Sequence, residues 1–300
     1  MLASPSPPAT DSPYCSRGPT AAPRGGVVPY PDPTDDSTGW DEGRIIPSIT
    51  AVFLCDCRPG FPMSLLRNKT IQRAVGGSFL ERWGIYVFSG LQLFVLGFHK
   101  EPDKVRLLRS VRRERRSLVT SYESFFVHSI AAGVRHLEGD MVEVGVYAGS
   151  TAKLICEAKG DKRLHVCDTF SGLPAPTAED GGVEKEGFFA WDLDSIQRYL
   201  SGYPHVEYHV GFCPDSVRGV LDDKRFCFVH LDVDLYSSTK QCLEYFFPRM
   251  VPGGVLVSHD YSVLEGVRSA FEEFTAGRIE QVIETPMTQC MLVRAADSIG

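Results

Sequence analysis

Two short runs concentrate the side chains that could do chemistry. They are His230-Leu231-Asp232-Val233-Asp234-Leu235-Tyr236 and His259-Asp260-Tyr261. Each follows an apolar segment, 226–231 and 254–258, of the length and content of a buried strand. Two carboxylates delivered together with an imidazole can hold a divalent cation or take up a proton as a general base. Asp232 and Asp260 are the stronger pair, because adjacent strands of one sheet would bring both to the same edge. Asp234 reads instead as the N-cap of a helix over 238–247, where a short acidic side chain satisfies free amides.

A third run, Glu143-x-Gly145-x-x-x-Gly149, follows the apolar segment 141–146. Glycine after a strand lets the backbone approach a ligand and turn into a helix. The dinucleotide pattern is G-x-G-x-x-G, with a pyrophosphate at the helix N-terminus. Here the spacing is wider and a carboxylate precedes the first glycine. That suits the amine and sulfonium of S-adenosylmethionine (SAM) better than a pyrophosphate. The candidate cofactor residues are Glu143, Gly145, Tyr147, Gly149, Ser150 and Thr151. Asp168, 23 residues past Gly145 and at the end of strand 164–167, is placed to accept from ribose hydroxyls. Gly211 and Phe212, after strand 206–210, would lie near the adenine.

Positioning these groups requires a sheet. From 139 onward, short apolar runs alternate with amphipathic stretches. Strands are expected at 141–146, 164–167, 206–210, 226–231, 254–258, 279–284 and 289–294. Helices are expected at 150–158, 195–200, 238–247, near 215–221 and near 264–275. Strict alternation implies a mostly parallel sheet covered on both faces. The last two strands lie too close for a helical crossover, so they should form an antiparallel hairpin. This is the seven-stranded, Rossmann-like class I SAM methyltransferase arrangement. An amphipathic helix beginning at Ser117 should lead into it, with Leu118, Tyr122, Phe125, Phe126, Ile130 and Val134 on one side.

The chain of 300 residues divides into a Pro/Ser-rich tail over 1–43, expected to be disordered, an apolar and basic extension over 44–116, and the catalytic domain over 117–297. Nine prolines fall in the first 33 residues, and no basic and apolar signal sequence precedes them. Residues 1–138 carry 17 basic and 13 acidic side chains, and residues 139–300 carry 14 and 25. An acidic catalytic half argues against nucleic acid as a partner. The nine cysteines include no C-x-x-C pair and read as small core residues in a reducing, cytoplasmic compartment. Asn68-Lys69-Thr70 fits a glycosylation sequon by chance. Residues 83–98 carry no charge, and 104–116 hold seven basic residues. The first stretch reads as a buried or partner-packed segment, and the second as a solvated helix face. The sharper alternative is membrane contact through 83–116, or a short span. A homo-oligomer is equally compatible.

The segments 142–150 (Val-Glu-Val-Gly-Val-Tyr-Ala-Gly-Ser), 168–174 (Asp-Thr-Phe-Ser-Gly-Leu-Pro), 230–239 (His-Leu-Asp-Val-Asp-Leu-Tyr-Ser-Ser-Thr), 245–249 (Tyr-Phe-Phe-Pro-Arg), 252–254 (Pro-Gly-Gly) and 259–261 (His-Asp-Tyr) occur in this order. Together they resemble the macrocin O-methyltransferase (TylF-like) family. The resemblance covers about 117–294 and none of 1–100. It implies SAM-dependent methyl transfer to a hydroxyl of a sugar or glycosylated natural product, generally with Mg²⁺ or another divalent cation. By position, Asp232 resembles the family's metal-binding general base, and His259 and Asp260 fall where the family has two acidic metal ligands. His259 departs from that pattern, since imidazole suits softer metals. It also offers a second base, with an unperturbed pKa near neutrality.

The acceptor would be a small molecule or a glycan, enclosed by 177–191 and the segment before 117. The loop 172–187 has the composition of a lid. Three other classes compete. Asp232-Val233-Asp234 fits the D-x-D of a glycosyltransferase, but that leaves 143–149 unexplained. A hydride-transferring oxidoreductase would need the other glycine spacing. A non-catalytic or membrane-attached descendant of the fold would differ from the enzyme only in turnover.

Overall fold

The computed structural model describes residues 79–115, 117–180 and 186–296. The expected disordered tail over 1–43, the sequon at Asn68 and the first part of the extension lie outside the described residues. All described residues fall within one compact unit, 60–300.

Seven strands form one sheet: β1 Asp140–Val144, β2 Leu164–Asp168, β3 Val206–Val210, β4 Phe226–Leu231, β5 Met250–Ser258, β6 Ile283–Glu284 and β7 Cys290–Val293. Their order is β3-β2-β1-β4-β5-β7-β6. The first five pair in parallel, and β7 pairs antiparallel with both β5 and β6. β1 is central because Met141, Val142 and Val144 are apolar on both faces, as a doubly covered strand requires. It ends at Val144, two residues earlier than expected, because Gly145 turns the backbone to φ +81°.

The helices are α1 Phe79–Leu96, α2 Pro102–Glu114, α3 Ser121–Val134, α4 Ser150–Ala158, α5 Leu193–Leu200, α6 Tyr236–Phe246 and α7 Glu265–Thr275. α6 and α7 cover one face, with Cys242, Phe246, Val267 and Phe271 packed among Val142, Val229, Leu231 and Leu256. α3, α4 and α5 cover the other, with Val127, Ala131, Ile155 and Ile196 against Met141, Val166, Phe228 and Val257. Each such fully buried aliphatic or aromatic side chain contributes about 1.5–3 kcal/mol of transfer free energy.

Several expectations need correction. No helix spans 215–221: one 3₁₀ turn, Asp215–Val217, stands there, bounded by Pro214 and by Gly219 at φ +77°. Asp234 is not at the N-cap of α6. The N-cap position is Leu235, without a side-chain cap. The first-turn amide of Tyr236 instead donates to Asp180 Oδ1 at 2.5 Å. Asp180 Oδ2 accepts from the Thr177 amide and hydroxyl, so the loop expected to act as a lid is pinned to the start of α6. The base of that loop is also closed: the Leu173 amide donates to Phe188 O and the Gly187 amide to Leu173 O. Residues 181–185 of it lie outside the described residues. β6 starts at Ile283, because Glu280 turns inward to accept from Arg294 and the Ala295 amide. The six described free cysteines are all buried.

α1 and α2 pack on the catalytic domain. Leu93, Leu96, Val105, Leu108 and Val111 form a small core with Leu154 of α4. α1 turns polar atoms inward: Gln92 Oε1 accepts from the Tyr122 amide, and Ser89 O accepts from the Ser121 hydroxyl. Its opposite side carries Trp83, Tyr86, Phe88, Leu91 and Phe94, all exposed, and Phe98 in the following turn is exposed too. The short-span alternative is corrected: no helix among the described residues is long and apolar enough to cross a membrane.

Candidate active site

The carboxyl ends of β1 and β4 build the site jointly. The Asp232 amide donates to Val144 O at 2.9 Å, and the Gly145 amide donates to Cys167 O at 2.9 Å. A Cβ on Gly145 would lie 1.9 Å from the Asp232 carbonyl oxygen. Ligand approach is the reason the sequence suggests for this glycine. The structure adds a stricter one, the backbone of the candidate base. Gly149, at φ +80°, occupies the N-cap of α4, whose first residues Ser150 and Thr151 are buried. Tyr147 sits at φ 45°, its ring edge-on to Trp191 and Phe189 at 5.2 and 5.8 Å between centroids.

Asp168 shapes this loop. Its Oδ2 accepts from the Val146 amide at 2.6 Å and the Tyr147 amide at 3.3 Å, and Oδ1 accepts from the Phe170 amide at 2.7 Å. The Thr169 hydroxyl lies 3.5 Å from Oδ1 but donates its one hydrogen at 2.7 Å to Gly172 O, so one of the carboxylate's about four acceptor sites remains for a further donor. The Gly211 amide donates to Asp168 O at 2.9 Å, which brings Gly211 and Phe212 beside it.

Strand alternation puts Glu143, His230, Asp232 and His259 on the face covered by α3. Glu143 is fully buried, and its Oε1 lies 3.2 Å from His230 Nδ1. Its Oε2 has no protein partner. Burial, with Asp168 nearby, pushes the Glu143 carboxyl well above the usual range. Burial lowers His230 to about 4, so it is neutral.

His259 sits among three carboxylates. Its Nδ1 is 2.9 Å from Asp260 Oδ2 and 3.5 Å from Asp232 Oδ1, and its Nε2 is 3.5 Å from Glu123 Oε2. None of these contacts has hydrogen-bond geometry, so they act as ion pairs. Burial opposes charge on the ring, but Asp260, Asp232 and Glu123 outweigh it and hold the imidazole well above its ordinary pKa. Burial raises the Asp232 carboxyl, against the pull of His259. Glu123 is held far below the carboxylate range. Burial would raise it, but His259 and the hydroxyls of Thr120 and Thr288 prevail.

Glu123 is absent from the candidates read from sequence, and His230 heads one of the two polar runs there without a role of its own. Thr120-Ser121-Tyr122-Glu123 does match the capping pattern S/T-x-x-E. The Thr120 amide duly donates to Glu123 Oε2 at 2.8 Å, but the same carboxylate also reaches Thr288 and His259. His230 shows no signal beyond a histidine inside an apolar strand.

The ligand atoms of Asp232, His259 and Asp260 come within 4.8 Å of one another. This set does not fit Mg²⁺, which requires near-octahedral oxygen donors. Both ring nitrogens of His259 face carboxylates, and a nitrogen ligand suits softer metals than Mg²⁺. His259 occupies the centre of the negative charge that a divalent cation would otherwise neutralise.

Residues 127–294, more than half of the chain, match the family model for macrocin-O-methyltransferase (TylF). The chain belongs to this TylF family. It is 30% identical over 151 residues to the 8-demethyl-8-(2,3-dimethoxy-alpha-L-rhamnosyl)-tetracenomycin-C 4'-O-methyltransferase of Streptomyces olivaceus, covering 45% of this chain and 58% of that protein. The chain spans between 58% and 65% of the length of the curated relatives it matches. The calicheamicin methyltransferase CalS11 superposes with TM-score 0.52 at 16% identity, covering 69% of this chain and 91% of that one. The O-methyltransferase TomG of Streptomyces achromogenes, solved in complex with SAM, superposes with TM-score 0.50 at 18% identity, covering 69% and 96%. These structures share the class I methyltransferase fold of this TylF family member.

Proposed function

We propose that this TylF family member transfers a methyl group from SAM to a hydroxyl of a sugar or glycosylated small molecule. The observation that carries the reading is the seam at Gly145, where the candidate cofactor loop and the candidate base Asp232 share one backbone contact. The site has features that suit SAM. The unpartnered Oε2 of Glu143 is a buried acceptor. Gly145 and Gly149 keep the turn open, and Asp168 retains acceptor capacity beside Gly211 and Phe212. Tyr147, Ser150 and Thr151 line the same turn. The relative from Streptomyces olivaceus is named for methylation on a rhamnosyl group, which favours a sugar hydroxyl as acceptor.

When bound, SAM supplies a methyl group made electrophilic by its sulfonium. The chain must align the acceptor and remove its proton, and alignment alone can supply about 7–11 kcal/mol. Asp232 takes the proton. Burial raises its carboxyl above the ordinary aspartate value, which makes it a stronger base, while the His259 charge opposes that rise. As the acceptor oxygen bonds to the methyl carbon, the methyl–sulfur bond breaks, leaving a methyl ether and a neutral thioether. His259 acts as a fixed cation beside Asp232 and Asp260, and no step passes through a metal.

Mass spectrometry of reactions with labelled SAM and a panel of glycosylated acceptors tests this. Asp232→Asn should keep SAM affinity and lower turnover by about 10²–10⁴-fold; full activity would remove Asp232 from the mechanism. Adding Mg²⁺ to EDTA-treated protein should leave the rate unchanged, and a rate restored by Mg²⁺ would overturn the metal-free reading. No turnover on any acceptor would favour the non-catalytic alternative.

A second reading concerns where the acceptor is met. The outward side of α1 is apolar, and the basic side of α2 borders it, with the Arg112 guanidinium 4.2 Å above the Tyr86 ring. Arg106, Arg109 and Arg113 of α2 are exposed. Apolar insertion flanked by cations suits the surface of an anionic membrane, and hence a lipid-linked or membrane-dissolved acceptor.

A further inference from the structure

A second cluster lies on the other face of the sheet, along β2 and β3. β2 and β3 pair with His165 opposite Glu207 and Cys167 opposite His209. Strand alternation therefore turns His165, Glu207 and His209 to one side. His165 Nδ1 is 3.1 Å from His209 Nε2 and 3.4 Å from Glu207 Oε2. All three ligand atoms lie within 4.8 Å of one another. Nitrogen and oxygen ligands bound to zinc at 2.0–2.1 Å in a tetrahedron are themselves about 3.3–3.4 Å apart. Two separations already match that edge without movement of the backbone.

We propose that His165, Glu207 and His209 form a site for Zn²⁺, with Asp140 supporting it from behind. His165 Nε2 lies 3.1 Å from Asp140 Oδ2. A carboxylate on the far nitrogen fixes the tautomer of a ligating imidazole, so Nε2–H donates to Asp140 and the Nδ1 lone pair faces the site. His165 is fully buried with the Phe226 ring edge-on at 6.3 Å, which locks its orientation. Glu207 and His209 are half-buried and leave a fourth position open to water. Arg163 contacts Glu207 through Oε1, which leaves Oε2 turned toward His165. Two imidazoles and one carboxylate suit Zn²⁺ or Co²⁺ and not Mg²⁺. Without an ion, the two histidines share one hydrogen bond, and that is the competing account of the same geometry.

The ion would clip β3, the edge strand of the sheet, onto β2, and so steady Gly211 and Phe212, which follow His209 by two and three residues. No full helix packs over this part of the face, because only the 3₁₀ turn Asp215–Val217 follows β3. The clip supplies what packing leaves out.

Untagged full-length chain titrated with Co²⁺ should show one equivalent of tetrahedral visible absorption, displaced by Zn²⁺, and Zn²⁺ should raise Tm. Asp232→Asn should retain both signals. His209→Gln should weaken binding at least about tenfold, in line with loss of one of three protein ligands. Circular dichroism checks folding, and the more exposed Glu207→Gln gives the same reading if His209→Gln does not fold. No saturable Co²⁺ binding would overturn the proposal. So would binding lost in Asp232→Asn and unchanged in His209→Gln, which would place the ion at the other cluster.

Discussion

Gly145 and Gly149 both hold φ near +80°, at +81° and +80°, yet their surroundings differ. A methyl group on Gly149 would meet Ile196 and Tyr199 at an ordinary 3.5 Å. On Gly145 it would strike the Asp232 carbonyl at 1.9 Å. Gly149→Ala should therefore lose only the left-handed backbone preference, about 1 kcal/mol. Gly145→Ala should lose about 3 kcal/mol or more, because strain and overlap add. Urea denaturation of the two variants checks this. Equal losses would mean that the β1–β4 seam yields without resistance. In the sequence both positions look alike, as glycines of one loop. Only the neighbouring strand, almost ninety residues away in the chain, separates them.

At the scale of elements, α3 is tied to the end of β5 through Glu123 and His259, and that tie titrates. The folded state raises the pKa of His259. Its contribution is complete below the ordinary imidazole value of about 6.5 and fades as pH climbs through the raised one. Glu123 is lowered, so its contribution is present above about pH 4.3 and is lost only as acid reaches the depressed value. The Tm advantage of the native chain over His259→Gln should be largest near pH 6 and shrink steadily on the alkaline side. An advantage that grows with pH would refute the ion-pair account. The elements themselves were legible where apolar runs are dense. β3, β4 and α4 fall at the expected residues, and the topology follows from alternation. Asp215–Val217 was not legible, because an amphipathic stretch cut by Pro214 and Gly219 lacks room for a helix. The candidate base and its acidic neighbour were legible as strand-end carboxylates. Glu123 was not, because a helix-start carboxylate looks like local capping until the fold brings β5 against it.

At the scale of the molecule, the apolar exposure of the described residues is concentrated on one helix. Phe94 is 63% exposed and Phe98, just past the end of α1, 74%, while the inward side holds Leu93 and Leu96 with Ser89 and Gln92. A helix that only covered a core would carry its apolar side chains on that side alone. The full chain should sediment with vesicles containing phosphatidylserine and much less with pure phosphatidylcholine. Each basic residue near an anionic surface adds about 1 kcal/mol. Leu91→Glu with Phe94→Glu should abolish the effect. No vesicle binding, together with a concentration-dependent dimer in ultracentrifugation, would assign the face to a second copy instead.

The contact between Gly145 and Asp232 also bears on how such a protein can change over evolutionary time or under laboratory selection. Because the candidate cofactor loop and the candidate base meet backbone to backbone, a substitution that reshapes one is felt by the other at once. New acceptor preferences are therefore accessible mainly through pieces bolted on from outside this junction, such as the pinned loop at 172–187 and α1. A library restricted to those two segments should yield more folded, active variants than an equal library spread along the ends of β1 and β4.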